Sequence, residues 1–196
     1  MQPFTRATTA LVVALAVALG APTMVAAAAE KGPGGDSWAT WDRRVTRYYL
    51  TGDNADAQKC GRELGGAFVL AGTSRRGDPL RCVVPRGMPV LAVPSAYIVL
   101  GSSGDTRRQL EQWRDEGLDT VTRVRTKVDG RPVPVRLVAG DAYVIRYRGG
   151  GRDRVATGTF LSWIRHLSPG RHKIRVSSIV EGKPESQSYR VRVRHR

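Results

Sequence analysis

Residues 121–137 read VTRVRTKVDGRPVPVRL, and within them the period of the chain becomes two. Arg123, Arg125 and Lys127 alternate with Val124 and Val128, Asp129-Gly130 gives the strongest short hairpin signal, and Val133, Val135 and Leu137 alternate on the return strand. Successive side chains of a strand point to opposite faces, so this pattern asks for a sheet with one buried and one wet face. The period continues to the end of the chain. Tyr143, Ile145 and Tyr147 oppose Val144, Arg146 and Arg148; Thr157 to Ile164 reads as a strand; LSPG at 167–170 is a turn; Ile174 and Val176 oppose Lys173 and Arg175. The final stretch, YRVRVRHR at 189–196, puts Val191 and Val193 on one face and Arg190, Arg192 and Arg194 on the other. Short strands joined by turns, without helices between them, predict a mainly β fold: an antiparallel β-sandwich, immunoglobulin-like or jelly-roll-like.

Working back towards the N-terminus, Thr106 and Gln109 fit a capping box for a helix through Glu116, with Leu110 and Trp113 inward and Gly117 as its stop. Earlier, Leu80 to Val84 and Pro89 to Val93 read as short strands, Tyr97 to Leu100 continues the apolar character, and Gly65 to Thr73 is a further apolar run before a polar turn at 74–78. Asp36 or Ser37 can cap a first helix whose Trp38, Trp41, Val45, Tyr48 and Tyr49 recur at three- and four-residue spacing, a buried stripe rather than a sugar platform. Two short helices therefore accompany the sheets.

Residues 1–29 read as a signal peptide: Arg6 supplies the positive region, Ala10 to Leu19 the apolar one, and Val25 to Ala29 small residues suited to cleavage. Residues 30–36 form a flexible leader and 37–196 a single domain. No later stretch is long enough to span a bilayer, because Met88 to Gly101 is interrupted by Pro89 and Pro94. The expected product is soluble and secreted. Cys60 and Cys82 are the only cysteines, and an even pair in an exported chain points to a disulfide rather than to a redox or metal site.

The net charge of +15 is concentrated in one half. Residues 30–120 carry 13 Lys and Arg against 12 Asp and Glu, whereas residues 121–196 carry 18 against 5. Such asymmetry hints at a polyanionic partner, tempered by 27 Arg against 5 Lys, which fits a GC-rich coding bias that makes Arg the default surface cation. The tryptophan-bearing helix, Cys60 before GGAFVLAGT, RCVVPRG at 81–87 and LSPGRHKIRV at 167–176 together resemble a group of uncharacterised secreted bacterial proteins with a two-cysteine N-terminal region and an immunoglobulin-like C-terminal hairpin. That resemblance implies no enzyme activity.

A search for catalytic chemistry finds little. His166, His172 and His195 lack metal-ligand spacing, the serines lie outside any nucleophile elbow, and the carboxylates Glu111, Asp115 and Glu116 follow a helix beside Arg107, Arg108 and Arg114. GSSGDT at 101–106 lacks the lysine of a phosphate loop. No catalytic residue, metal ligand or cofactor is assigned. The arginine rows remain: Arg123, Arg125, Arg146, Arg148, Arg175, Arg190, Arg192 and Arg194 would form a cationic lattice if their strands shared one sheet face. The expected function is non-enzymatic binding of anionic polysaccharide or wall phosphate polymer, or of extracellular nucleic acid. The alternative is a small secreted hydrolase whose acids converge in a cleft.

Overall fold

The computed structural model describes residues 31–51, 60–71, 78–147 and 150–194. Residues 1–29, expected from the sequence to be a signal peptide, lie outside the described residues, as do Arg148 and His195. Lys31 to Gly35, read from the sequence as a flexible leader, forms a bridge from Lys31 to Ser37 and a short 3-10 turn at Pro33–Gly35, with Gly32 buried against Trp41. Helix α1 follows at Trp38–Leu50, then strands β1 (Gly61–Leu64), β2 (Ala67–Leu70), β3 (Leu80–Val84) and β4 (Val90–Gly101), and helix α2 (Arg107–Asp119). The remaining strands are β5 (Val121–Val128), β6 (Arg131–Val133), β7 (Arg136–Ala139), β8 (Tyr143–Arg146), β9 (Arg152–Ile164), β10 (Gly170–Val180) and β11 (Lys183–Val193).

The fold is mainly β and built on two sheets. The first runs β1-β2-β4-β9-β7, with β8 also paired to β9; the second runs β3-β11-β10-β5-β6. Both are mixed, which corrects the expectation of purely antiparallel sheets. Strand β2 lies parallel to β4, and β3 lies parallel to β11. Parallel neighbours need a crossover, and the chain makes one by placing β3 in the second sheet between β2 and β4 of the first.

The period-two stretch divides at Pro134. Asp129 and Gly130 both have positive φ and join Val128 to Arg131 as a two-residue turn, as the hairpin signal requires. The return strand then stops at Val133, with Pro132 tolerated on this edge strand, and residues 136–139 pair with β9 of the other sheet. Pro94 is accommodated similarly: β4 continues through it, with a register shift against β9 between Ala92 and Ser95.

Alternation along β2 and β4 explains why these strands are apolar on both faces. Phe68, Leu70, Val90 and Ala92 join one core cluster with Val84, Ile174, Val176, Tyr189, Val191 and Val193 of the second sheet. Ala67, Val69 and Leu91 join another with Trp38, Trp41 and Val45 of α1. The disulfide Cys60–Cys82 is present and ties the start of β1 to β3, so it crosslinks the two sheets.

Both caps lie where the sequence places them: Ser37 Oγ accepts from the Thr40 amide, and Thr106 with Gln109 forms the capping box. The inner face of α2 differs from expectation. Trp113 is 42% exposed, while Leu110, Arg114 and Leu118 are buried. Arg114 earns its burial by bonding the Gly140 carbonyl and the Asp115 carboxylate. Gly117 does not end the helix, which runs on to Asp119; it lies against the Tyr97 ring.

Candidate functional site

Strand pairing in the second sheet brings the basic rows together. Strand β11 lies between β3 and β10, with Arg190 opposite Arg81 on one side and Lys173 on the other. In the neighbouring rows Arg192 faces Arg171, and Arg175 lies between Ser188 and Lys127. Arg125 follows opposite Ser177. The cations of these rows are exposed, while Ile174, Val176, Tyr189, Val191 and Val193 of the same strands are buried in the core. Neighbouring strands are about 4.8 Å apart and same-face residues on one strand about 6.7 Å apart, so the guanidinium and ammonium groups crowd one surface. Among the described residues none of them takes part in an ion pair.

Of the residues expected from sequence, Arg123, Arg125, Arg175, Arg190 and Arg192 lie on this sheet. Arg194 is exposed just past β11, its amide donating to the Val84 carbonyl. Arg146 belongs elsewhere: β8 pairs with β9 of the first sheet. Arg148 lies outside the described residues. The face also holds Arg81, Lys127, Arg171 and Lys173, absent from the expected set. The lysines share the period of their strands and were within reach of the pattern. Arg81 was not, because its parallel partner strand lies more than a hundred residues away.

Two shallow depressions mark the face. One, of about 660 Å³, is lined by Arg81, Arg171, Lys173, Arg190 and Arg192, with the Asp129 carboxylate at its edge. The other, of about 420 Å³, holds Arg123, Arg125, Arg175, Ser177, Ser186 and Glu185. Asp129 accepts from the Lys173 amide and from His172 Nδ1 at 2.7 Å each, and these bonds hold its carboxyl below the usual range. The 18-to-5 excess of bases over acids after residue 120 leaves little else to neutralise the surface.

Behind that edge, Asp129, His172 and Ser168 form an arrangement that imitates a hydrolytic triad. His172 Nε2 lies 3.4 Å from Ser168 Oγ, but 2.8 Å from the Ser168 carbonyl oxygen, which can only accept. Burial works against charge on His172, yet the Asp129 and Ser168 contacts outweigh it and raise its pKa. Nε2 is thus directed at a carbonyl oxygen rather than at the serine hydroxyl, and is not placed to activate it. The hydrolase alternative gains no support from Asp42 either. That carboxyl is 2% exposed beneath α1, where Thr157 and Thr159 donate to it, and no second carboxylate adjoins it among the described residues. No group of three or more His, Cys, Asp or Glu among the described residues could hold a metal ion.

No protein-family model and no curated protein matches the sequence. Among solved structures, the chain is similar to amebosin in solution, with 12% identity and a TM-score of 0.28, over 62% of this chain and 95% of that one. It is also similar to amylomaltase from Corynebacterium glutamicum, with 16% identity and a TM-score of 0.24, over 61% of this chain and 13% of that one. Likeness at this level carries no argument about fold or function. No helix among the described residues is long and apolar enough to cross a membrane.

Proposed function

We propose that this is an exported, non-enzymatic protein whose two sheets pack as a sandwich of immunoglobulin-like or jelly-roll-like kind and whose second sheet binds anionic polymer. One observation carries the reading: cations stand directly opposite cations, Arg81–Arg190–Lys173 across three consecutive strands and Arg192–Arg171 across two, with no acid paired to them among the described residues. Like charges at opposed positions destabilise a sheet, and a passive wet face would set acids or neutral residues opposite those cations. A polyanion relieves the repulsion when it binds. The disulfide fits an oxidising compartment outside the cytoplasm.

The partner is anionic polysaccharide or wall phosphate polymer. Guanidinium forks accept carboxylate and phosphate alike. Extracellular nucleic acid is held through its phosphates only, since the outward positions of β3, β5, β10 and β11 carry no aromatic ring on which a base could stack. The test is a salt series of binding to heparin and to a wall phosphate polymer. Affinity should fall linearly on logarithmic axes, with a slope that counts neutralised charges. Absence of binding to both polymers at low salt would overturn the proposal.

A further inference from the structure

The basic face is not uniform, and its far end differs in chemistry from the cation-only rows near β3. Between Ser177 and Ile179 the β5–β10 ladder shifts register, so that Arg123 and Val124 together oppose Ser178. Arg123 is the residue with left-handed backbone there, at φ +51°. A bulge of this kind adds a residue to one strand and re-aims its side chain, at a backbone cost that an arginine has no intrinsic reason to accept. The result gathers three guanidinium groups, Arg123, Arg125 and Arg175, around one depression.

Hydroxyl groups converge on the same place. Ser177 lies opposite Ser186 in one row, and neither side chain has a hydrogen-bond partner among the described residues. Ser178 borders the depression too, but its Oγ is buried, in step with Ile174 and Val176 on the core side of β10, and is not presented to a ligand. Glu185, opposite Ser178, contributes the single carboxylate. A pure anion has no use for that carboxylate, which repels it. A sugar unit bearing an anionic ester does: the ester oxygens accept from the guanidinium forks, while sugar hydroxyls bond to the hydroxyls of Ser177 and Ser186 and donate to Glu185.

We propose that the depression between β5, β10 and β11 is a subsite for a sugar unit carrying a phosphate or sulfate ester. This rests on the polymer-binding reading above and narrows it to anionic glycans over polymers without hydroxyls. The cation-only rows supply attraction to any polyanion; the mixed subsite selects.

The experiment measures binding of the full protein to three probes matched in total charge: a sulfated glycan, a phosphate-bearing glycan and linear inorganic polyphosphate. The glycans should bind more tightly than polyphosphate, and the stronger of the two identifies the ester. Replacing Ser177 and Ser186 by Ala should weaken glycan binding about fivefold or more while leaving polyphosphate binding unchanged, because each lost hydrogen bond is worth about 1 kcal/mol. Glu185→Gln, which keeps shape and removes charge, should tighten polyphosphate binding and leave the glycans without that gain. Both sites are on the surface, and thermal melts confirm folding. Equal affinity for all three probes, or a glycan preference unchanged in both variants, overturns the subsite and leaves general polyanion binding standing. Failure of the unmodified protein to bind any probe at low salt overturns both.

Discussion

Arg192 stands directly opposite Arg171 in the β10–β11 ladder, one row from Arg190 opposite Lys173. Four cations in two adjoining rows raise the free energy of the sheet by self-repulsion and lower that of any complex with a polyanion. Replacing Arg190 and Arg192 by Gln should therefore leave thermal stability equal or slightly higher, within about 0.5 kcal/mol. The same change should reduce the logarithmic salt slope of heparin binding by about 2. Val191 lies between them in sequence but is 1% exposed, and Val191→Ala should cost about 1 kcal/mol or more without altering the slope. Melting curves and salt series on the two variants separate these roles. An unchanged slope in the arginine variant would remove the strand from the ligand surface.

Gly117 lies within α2, where alanine normally adds about 1 kcal/mol over glycine. The Tyr97 ring reverses that expectation, because a Cβ on Gly117 would fall 2.1 Å from two of its ring carbons. Overpacking costs of about 1–3 kcal/mol outweigh the propensity gain. Gly117→Ala should be destabilising in chemical denaturation, and adding Tyr97→Ala should recover part of the loss. A stabilised single variant would show that the ring moves aside freely.

The contrast between Gly117 and Asp129-Gly130 shows which features were legible in the sequence. A two-residue turn, a Ser37 cap and a Thr106–Gln109 box are satisfied by neighbours within a few residues, so their signals are local. Gly117 as a helix stop was the default local reading, and a tertiary contact overrode it. Trp113 reads as core by hydropathy, yet Arg114 takes the buried place because the Gly140 carbonyl and Asp115 satisfy its guanidinium. Residues 131–133 pair with β5 and 136–139 with β9, a division that the alternation of Val133, Val135 and Leu137 does not reveal. Within the site, Arg175, Arg190 and Arg192 were readable by alternation alone. The exclusion of Arg146 and the inclusion of Arg81 depend on which strands pair, and no local pattern encodes that.

Asp42 gives a pH dependence of definite sign. Burial raises its pKa, with the Thr157 and Thr159 hydrogen bonds and the Arg114 and Arg43 charges opposing in part. A carboxyl with a raised folded pKa binds more protons in the native than in the unfolded state. Its contribution is therefore fully present below the unfolded value of 3.8 and is lost as pH rises through the folded value. Comparison with Asp42→Asn isolates this term from the carboxylates whose pKa is lowered, such as Asp129 and Glu111. The stability of the native protein relative to the variant should fall as pH rises above the unfolded value of 3.8. Parallel curves would show that Asp42 titrates normally. Thr157→Val should cost about 1–3 kcal/mol by leaving the carboxyl short of a donor.

The Cys60–Cys82 bond joins stability to the site through Arg81. Strand β3 is an edge strand, held to its sheet by a five-residue parallel ladder with β11, and the bond ties it to the start of β1. A crosslink over a 22-residue separation contributes about 3 kcal/mol on the chain-entropy account. Thiol titration of unreduced, denatured protein should find neither cysteine free; two thiols per chain would refute the bond. Reduction, or Cys82→Ser, should lower the melting temperature and loosen β3 first, because nothing pairs with its outer edge among the described residues. Arg81 then leaves the row it forms with Arg190 and Lys173. Below the new melting transition, polymer binding should survive with a salt slope smaller by about 1, the share of one cation. Arg81→Gln in the oxidised protein should reproduce that loss of slope without the loss of stability. If reduction lowered stability but left the slope intact, β3 would be holding Arg81 in place through the ladder alone.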